Sequence, residues 1–121
     1  MNILILEDDP ARIKKFLSKL IGHNVKVTDD ARTCIQFLKS GSWDILCLDH
    51  DLGGKINVAS GNNTGYEVSK WLELNPENTP PTVYIHSLNG VGAANMLACL
   101  PQAIQIPFLW EVLQMPEEQV S

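Results

Sequence analysis

Five short apolar runs alternate along the chain with amphipathic stretches: "NILIL" (Asn2–Leu6), "NVKV" (Asn24–Val27), "DILCLD" (Asp44–Asp49), "TVYIHS" (Thr82–Ser87) and "AIQIP" (Ala103–Pro107). Most of these runs lack the strict polar alternation of a half-solvated sheet, so they read as strands buried on both faces, the kind found in parallel sheets covered by helices. The intervening segments carry helix signals. Asp9 followed by Pro10 is a capping carboxylate with proline at the first helical position, Ile13, Phe16, Leu17, Leu20 and Ile21 form one apolar face, and Gly22 is the stop. A second helix runs from about Asp30 to Gly41, with Ala31, Cys34, Ile35 and Leu38 inward. "TGYE" reads as a capping box, Thr64 with Glu67, opening a third helix with Val68, Trp71 and Leu72 inward and Asn75–Pro76 as its stop. "GVGAANMLACL" is a fourth helix, and a short fifth runs from Phe108 to about Gln114 before Pro116.

Strand–helix alternation of this kind predicts an α/β, flavodoxin-like three-layer sandwich: a five-stranded parallel sheet of order 2-1-3-4-5 with right-handed connections. The 121 residues suit one domain, spanning 1–121, with no internal repeat and no linker to a second one. A net charge of −5 excludes an extended basic surface for nucleic acid, although a bound cation can reverse the sign locally. Cys34, Cys47 and Cys99 form an odd set without CxxC spacing and read as buried thiols in a reducing compartment. No signal-peptide pattern and no apolar run near the length of a membrane span occur, so a cytoplasmic protein without membrane contact is expected.

The strands end in charge. Glu7, Asp8 and Asp9 follow the first, Asp49, His50 and Asp51 follow the third, and His86, Ser87 and Asn89 lie at or just past the end of the fourth. In a sheet of order 2-1-3-4-5 the switch point lies between strands one and three, where ligands bind beyond the carboxyl ends. Five carboxylates around one crevice repel one another, so a cation is expected among them, and an oxygen-rich donor set suits Mg²⁺ or Mn²⁺. Asp8 and Asp49, at matching ends of adjacent strands, read as ligands. Asp9 reads first as a helix cap, Glu7 as facing either the crevice or the neighbouring helix, and Asp51 as a site residue or a loop cap. Two imidazoles beside carboxylates raise the prospect of proton transfer, with a structural role for each as the alternative. Ser87 is either a site hydroxyl or a satisfied strand-end one, and Asn89 either a ligand-binding residue or a turn residue before Gly90. The polar stretch from Gly53 to Asn63 is too long for an ordinary turn and reads as a functional loop.

With those residues in place, the chain resembles the receiver domains of two-component response regulators over nearly its whole length. "ILILEDDP" is similar to the first receiver strand, which implies that Glu7 and Asp8 are its acidic, Mg²⁺-holding pair. "DILCLDHDLGG" resembles the strand bearing the phospho-acceptor, implying Asp49, and Ser87 matches the switch hydroxyl after the fourth strand. The pattern breaks at "QIPF", where a receiver's lysine is replaced by Ile106, and at His50, His86 and the long Gly53–Asn63 stretch. In those departures, "LDHDLGG", "IHSLNGVGAANM" and "IPF" are similar to the cyclic-phosphate-processing receiver domains of bacteria and phages.

That resemblance implies a metal-dependent phosphoesterase acting on cyclic phosphates of nucleotides or RNA ends, a small phosphorylated ligand as partner. Glu7, Asp8 and Asp49 would hold the metal. His50, His86 and Asp51 would be catalytic, the two imidazoles an opposed acid and base facing one crevice. Ser87, Asn89 and Asn95 would bind the phosphate. A degenerate receiver working as a signalling module is the alternative, and a homodimer through the fourth helix, fifth strand and last helix is compatible with either.

Overall fold

The computed structural model describes residues 1–52, 54 and 58–113. Five strands, β1 (Asn2–Leu6), β2 (Asn24–Thr28), β3 (Ile45–Leu48), β4 (Thr82–Ile85) and β5 (Ile104–Gln105), form one parallel sheet of order β2-β1-β3-β4-β5, as the sequence predicts. The helices are α1 (Pro10–Lys19), α2 (Ala31–Ser40), α3 (Gly65–Leu74), α4 (Gly90–Cys99) and α5 (Leu109–Val112), with a 3₁₀ turn at Pro76–Asn78 after α3. The predicted end of the last helix at Gln114, and Gly53 with 55–57 of the long loop, lie outside the described residues.

Alternation along each strand sends successive side chains to opposite faces. Leu4, Leu6, Leu46, Leu48, Val83 and Ile85 pack on one side with Ala31, Cys34 and Leu38 of α2, Val68 and Leu72 of α3, and Ala93 and Met96 of α4. Ile3, Ile5, Ile45 and Cys47 pack on the other with Phe16 of α1 and Leu109 and Trp110 of α5. No described helix is long and apolar enough to cross a membrane.

Two local expectations change. Leu17 is exposed because α1 covers the sheet through a narrow stripe in which Phe16 and, at the C-cap, Leu20 are buried, and Ile21, 83% exposed, lies beyond the helix end at Lys19. The capping box is also rearranged. The Thr64 hydroxyl turns back to donate to Gly61 O at 2.7 Å, and Glu67 Oε1 accepts from the Asn63 amide rather than from that of Thr64. Asp9 does cap α1, its Oδ1 accepting from Ala11 N at 2.8 Å.

The narrow stripe gives a contrast that unfolding experiments can read. Phe16→Ala opens a cavity at a fully buried site and should cost about 3–5 kcal/mol. Ile21→Ala, just past the end of that helix and exposed, should stay within about 0.5 kcal/mol of the parent in urea melts. Equal losses would contradict this packing.

Candidate functional site

The register of the sheet assembles the first part of the site. Leu6 is level with Leu48, and Leu48 with Ile85, so the next residues, Glu7, Asp49 and His86, stand side by side beyond three adjacent strands. All three are buried, and a carboxylate oxygen from each acid and a ring nitrogen of His86 lie within 4.8 Å of one another. Parity puts them on the α1/α5 face. There, Phe16 and Trp110 pack edge-on against the His86 ring at 5.0 and 6.0 Å.

Glu7 is held from several directions. Its Oε2 accepts from the amides of Asp8 and Asp9, each at 3.0 Å, and from Arg12 Nη2 at 3.1 Å. His86 Nε2 lies 3.2 Å from Oε1. Arg12 Nε is also 3.1 Å from Oε1, although not aligned to donate to it. Burial alone would raise the Glu7 carboxyl, but the hydrogen bond and charge of His86, the Asp9 amide and the Arg12 guanidinium outweigh it and hold it below the ordinary range. Burial holds the His86 ring below the ordinary imidazole range, and the hydrogen bond and charge of Glu7 only partly offset that. Its Nδ1 is buried and without a hydrogen-bond partner.

Asp49 lacks such support. Its Oδ1 accepts from the His50 amide at 2.8 Å, whereas Oδ2 is buried with no hydrogen bond, 3.6 Å from Arg12 Nη2. Burial and then the Glu7 charge push its carboxyl up to about 8, against the opposing pull of Arg12 and the His50 amide. Arg12 is therefore the one guanidinium facing both acids, and its own cationic form is favoured by Glu7 and Asp49 despite partial burial. The Trp110 ring lies under it, 5.1 Å from centroid to Cζ. Asp8, at the rim, accepts from Gly54 N through Oδ2 at 2.6 Å.

The remaining predicted residues gather on the opposite face, against α4. His50 is fully buried; its Nδ1 is 2.7 Å from Asp51 Oδ1 and its Nε2 is 2.9 Å from Ser60 Oγ. Asn89 caps α4 through Gly92 N, and its Nδ2 donates to Asp51 Oδ1 and Val58 O. Asn95 Nδ2 donates to Ser60 Oγ at 2.8 Å. Ser87 is buried, and its Oγ accepts from Asn89 N, so it braces the turn into α4. Gly92 is required for this packing: a Cβ there would lie 2.4 Å from His50 Cγ. A Cβ on Gly65 would likewise meet the Asp49 carbonyl oxygen at 1.9 Å.

The expectation that His50 and His86 face one crevice as an opposed acid and base is corrected here. Strand parity turns Asp49 and His86 toward α1 and α5, and turns His50 toward α4. The two rings therefore hydrogen-bond to different partners on different faces of the sheet edge.

A sequence model described as the cyclic-phosphate processing receiver domain matches residues 3–102. The chain belongs to that receiver family. A comparison with curated protein sequences returns no match. Among solved structures, the phosphorylated cyanobacterial phytochrome response regulator RcpA is similar with a TM-score of 0.68 at 19% identity, covering 86% of this chain and 78% of that one. The Mn²⁺-bound form of response regulator Rcp1 gives 0.67 at 18% identity, covering 95% and 98%. The response regulator TrrA from Thermotoga maritima, in complex with Mg²⁺-BeF, gives 0.66 at 14% identity, covering 88% and 87%. At these identities the likeness shows the flavodoxin-like receiver fold alone.

Two polar residues at the centre of this receiver's site were not singled out from sequence. Arg12 sits five residues after Glu7, in the first turn of α1; asking which cation nearest in the chain answers the acids would have found it. Ser60 lies in an aperiodic loop, where neither spacing nor hydrophobic pattern marks one hydroxyl among its neighbours.

Asp49 makes stability depend on pH with a definite sign. Its carboxyl ionises near 3.8 when unfolded and near 8 when folded, so between those values the native state holds the extra proton. With divalent ions chelated, this contribution should fall away as pH rises from 4 to 8, and Asp49→Asn should exceed the parent by a few kcal/mol at pH 8 with little difference at pH 4. Millimolar Mg²⁺ or Mn²⁺ should raise the parent Tm more at pH 8 than at pH 5, and leave the variant unmoved. A Tm difference independent of pH and metal would contradict the assignment.

Proposed function

We propose that this receiver is a metal-dependent phosphoesterase acting on cyclic phosphates of nucleotides or RNA ends. The observation that carries the reading is the buried, unpartnered Asp49 Oδ2 beside Glu7 at the switch point of the sheet. A buried carboxylate oxygen without a donor, next to a second acid, fits a divalent cation. The match to a cyclic-phosphate processing family and the Mn²⁺- and Mg²⁺-bound receiver relatives support the same assignment. Mg²⁺ or Mn²⁺ would be held by Asp49 and Asp8, with Glu7 behind them, and would supply Lewis-acid neutralisation of the phosphoryl oxygens.

The chain's own groups provide the rest. Arg12, partly exposed and braced by Trp110, presents a fixed positive charge toward the phosphoryl site. Glu7 holds Arg12 in place, and His86 holds Glu7, which makes His86 a positioning residue. His50 carries the proton: Asp51 fixes its Nδ1, and its Nε2 meets the Ser60 hydroxyl, which stands where a water or substrate hydroxyl would bond. Ser87 and Asn89 shape the start of α4 around that imidazole, and Asn95 adds a donor beside it.

A second reading, a phospho-accepting signalling module, is favoured by one observation, the receiver-like seat of Asp49 one step beyond β3. Against it, the lysine of typical receivers is replaced by Ile106, which is half-buried in the α1/α5 core. One assay separates them. With Mg²⁺ or Mn²⁺, 2′,3′-cyclic nucleotides should be hydrolysed by the parent and at least about a hundredfold more slowly by Asp49→Asn and Arg12→Gln. No turnover together with a stable acyl phosphate on Asp49 from acetyl phosphate would reject the esterase in favour of signalling.

A further inference from the structure

β2 is the outer strand of the sheet, with α1 on one face and α2 on the other, and a cleft opens where the two helices start beside its carboxyl end. The cleft is a cavity of about 440 Å³. Sites for small organic ligands span roughly 300–1,000 Å³. Its inner end is formed by Glu7 and Asp8, which border the proposed metal site. Its walls are Ile13 of α1, Val27 of β2 and Phe37 of α2, three apolar side chains that are each only partly buried.

Three polar residues complete the lining, Thr28, Asp29 and Thr33, and their hydrogen bonds fix what they offer. Thr28 Oγ1 donates to Asp30 O at 3.4 Å and accepts from Asp30 N at 3.2 Å. Thr33 Oγ1 donates to Asp30 Oδ2 at 3.0 Å. A carbonyl or carboxylate oxygen only accepts, so both hydroxyl hydrogens are engaged inside the protein and each Oγ1 keeps a lone pair for a ligand. Asp29 is exposed and adds a carboxylate. These three residues therefore present acceptors, next to apolar walls and one step from the acids of the crevice.

We infer that this cavity receives the nucleoside attached to the phosphate, and that it favours a base with an exocyclic amine, adenine, cytosine or guanine, over uracil. The inference rests on the phosphoesterase reading for one thing, the placing of the phosphate at the metal site and Arg12. With the phosphate held there, the neutral remainder of the ligand enters the cavity, and Asp29 disfavours the reverse orientation by repelling the anionic end. Ile13, Val27 and Phe37 suit the faces of a flat ring. An exocyclic amine gives the acceptors N–H donors. Uracil has a carbonyl oxygen where cytosine has its amine, and sets lone pairs against lone pairs there. A free nucleotide and the 3′ end of an RNA carry the same nucleoside, so the chemistry recognised is common to both.

Binding is read first, apart from turnover. In amide NMR spectra of the full chain with Mg²⁺, 3′-CMP should shift Thr28, Asp29 and Thr33, whereas glycerol 2-phosphate, which has no base, should not. The parent should bind 3′-CMP several-fold more tightly than 3′-UMP. Thr33→Trp fills the cavity from an exposed position in the first turn of α2 and should weaken 3′-CMP by at least about tenfold, with glycerol 2-phosphate unchanged. Absence of shifts at β2 and α2, or equal affinity for the two nucleotides, overturns the inference, and both are measured on the parent, so they decide even where the variant fails to fold. A folded Thr33→Trp that binds 3′-CMP as the parent does overturns it too. An oligocytidylate with a 3′-phosphate that displaces 3′-CMP from the cavity identifies RNA ends as a source of the nucleoside; one that does not identifies the free nucleotide.

Turnover separates this site from the phosphoesterase reading. Thr33→Trp should raise the KM for 2′,3′-cyclic CMP and leave hydrolysis of glycerol 1,2-cyclic phosphate unchanged. If neither cyclic phosphate is hydrolysed while 3′-CMP still occupies the cavity, the esterase fails and the nucleoside site stands. If both are hydrolysed and Thr33→Trp alters neither, the esterase stands and the nucleoside site fails.

Discussion

Two buried carboxylates beside one guanidinium set the terms for this molecule. Parallel pairing carries β1 and β3 to the same level, so Glu7 and Asp49 emerge side by side, both buried. Like charges that close cannot both be ionised without a positive group, and the fold answers asymmetrically. Glu7 receives the backbone amides, Arg12 and His86; Asp49 receives one amide and a distant share of the same arginine. One acid is thus fixed as an anion and the other is left as a group whose charge depends on what arrives. That asymmetry is the chemical content of the crevice, and it is what a divalent cation could answer.

The sheet then divides the polar residues by parity. His86 joins Glu7 under Phe16 and Trp110, and serves the acids by occupying Glu7 rather than by reaching a substrate. His50 turns to the other side, where Asp51, Asn89, Ser60 and the start of α4 enclose it. The only direct link between the two groups among the described residues' hydrogen bonds is the His50 amide on Asp49 Oδ1. The chain keeps the receiver's acids, carries Ile106 where the receivers it resembles have lysine, and builds a second hydrogen-bonded cluster on the α4 side.

Much of this was legible in the residues, for definable reasons. The continuous apolar runs at Asn2–Leu6 and Ile45–Leu48 could only be buried strands, and their order and parallel pairing followed from the helices between them. That the crevice lies beyond Glu7 and Asp49 followed from the same topology. Which face each side chain takes was also implicit in period-two alternation: Cys47, Asp49 and the α1/α5 core share one parity, Leu48 and His50 the other. The opposed-imidazole expectation treated strand ends as a shared mouth and did not carry that parity past the last paired residue. Arg12 and Ser60 are a different case. Their roles depend on side-chain reach across α1 and across an aperiodic loop, and spacing alone does not encode such contacts.

The unequal treatment of the two acids can be read directly by following their side-chain carboxyl carbons by NMR as pH is varied, with divalent ions chelated. The account requires Glu7 to titrate below the usual glutamate range and Asp49 to titrate near 8. If Asp49 instead ionises near 4 and both acids are charged at pH 6 without a metal, Arg12 is screening them equally and the crevice has no open demand for a cation.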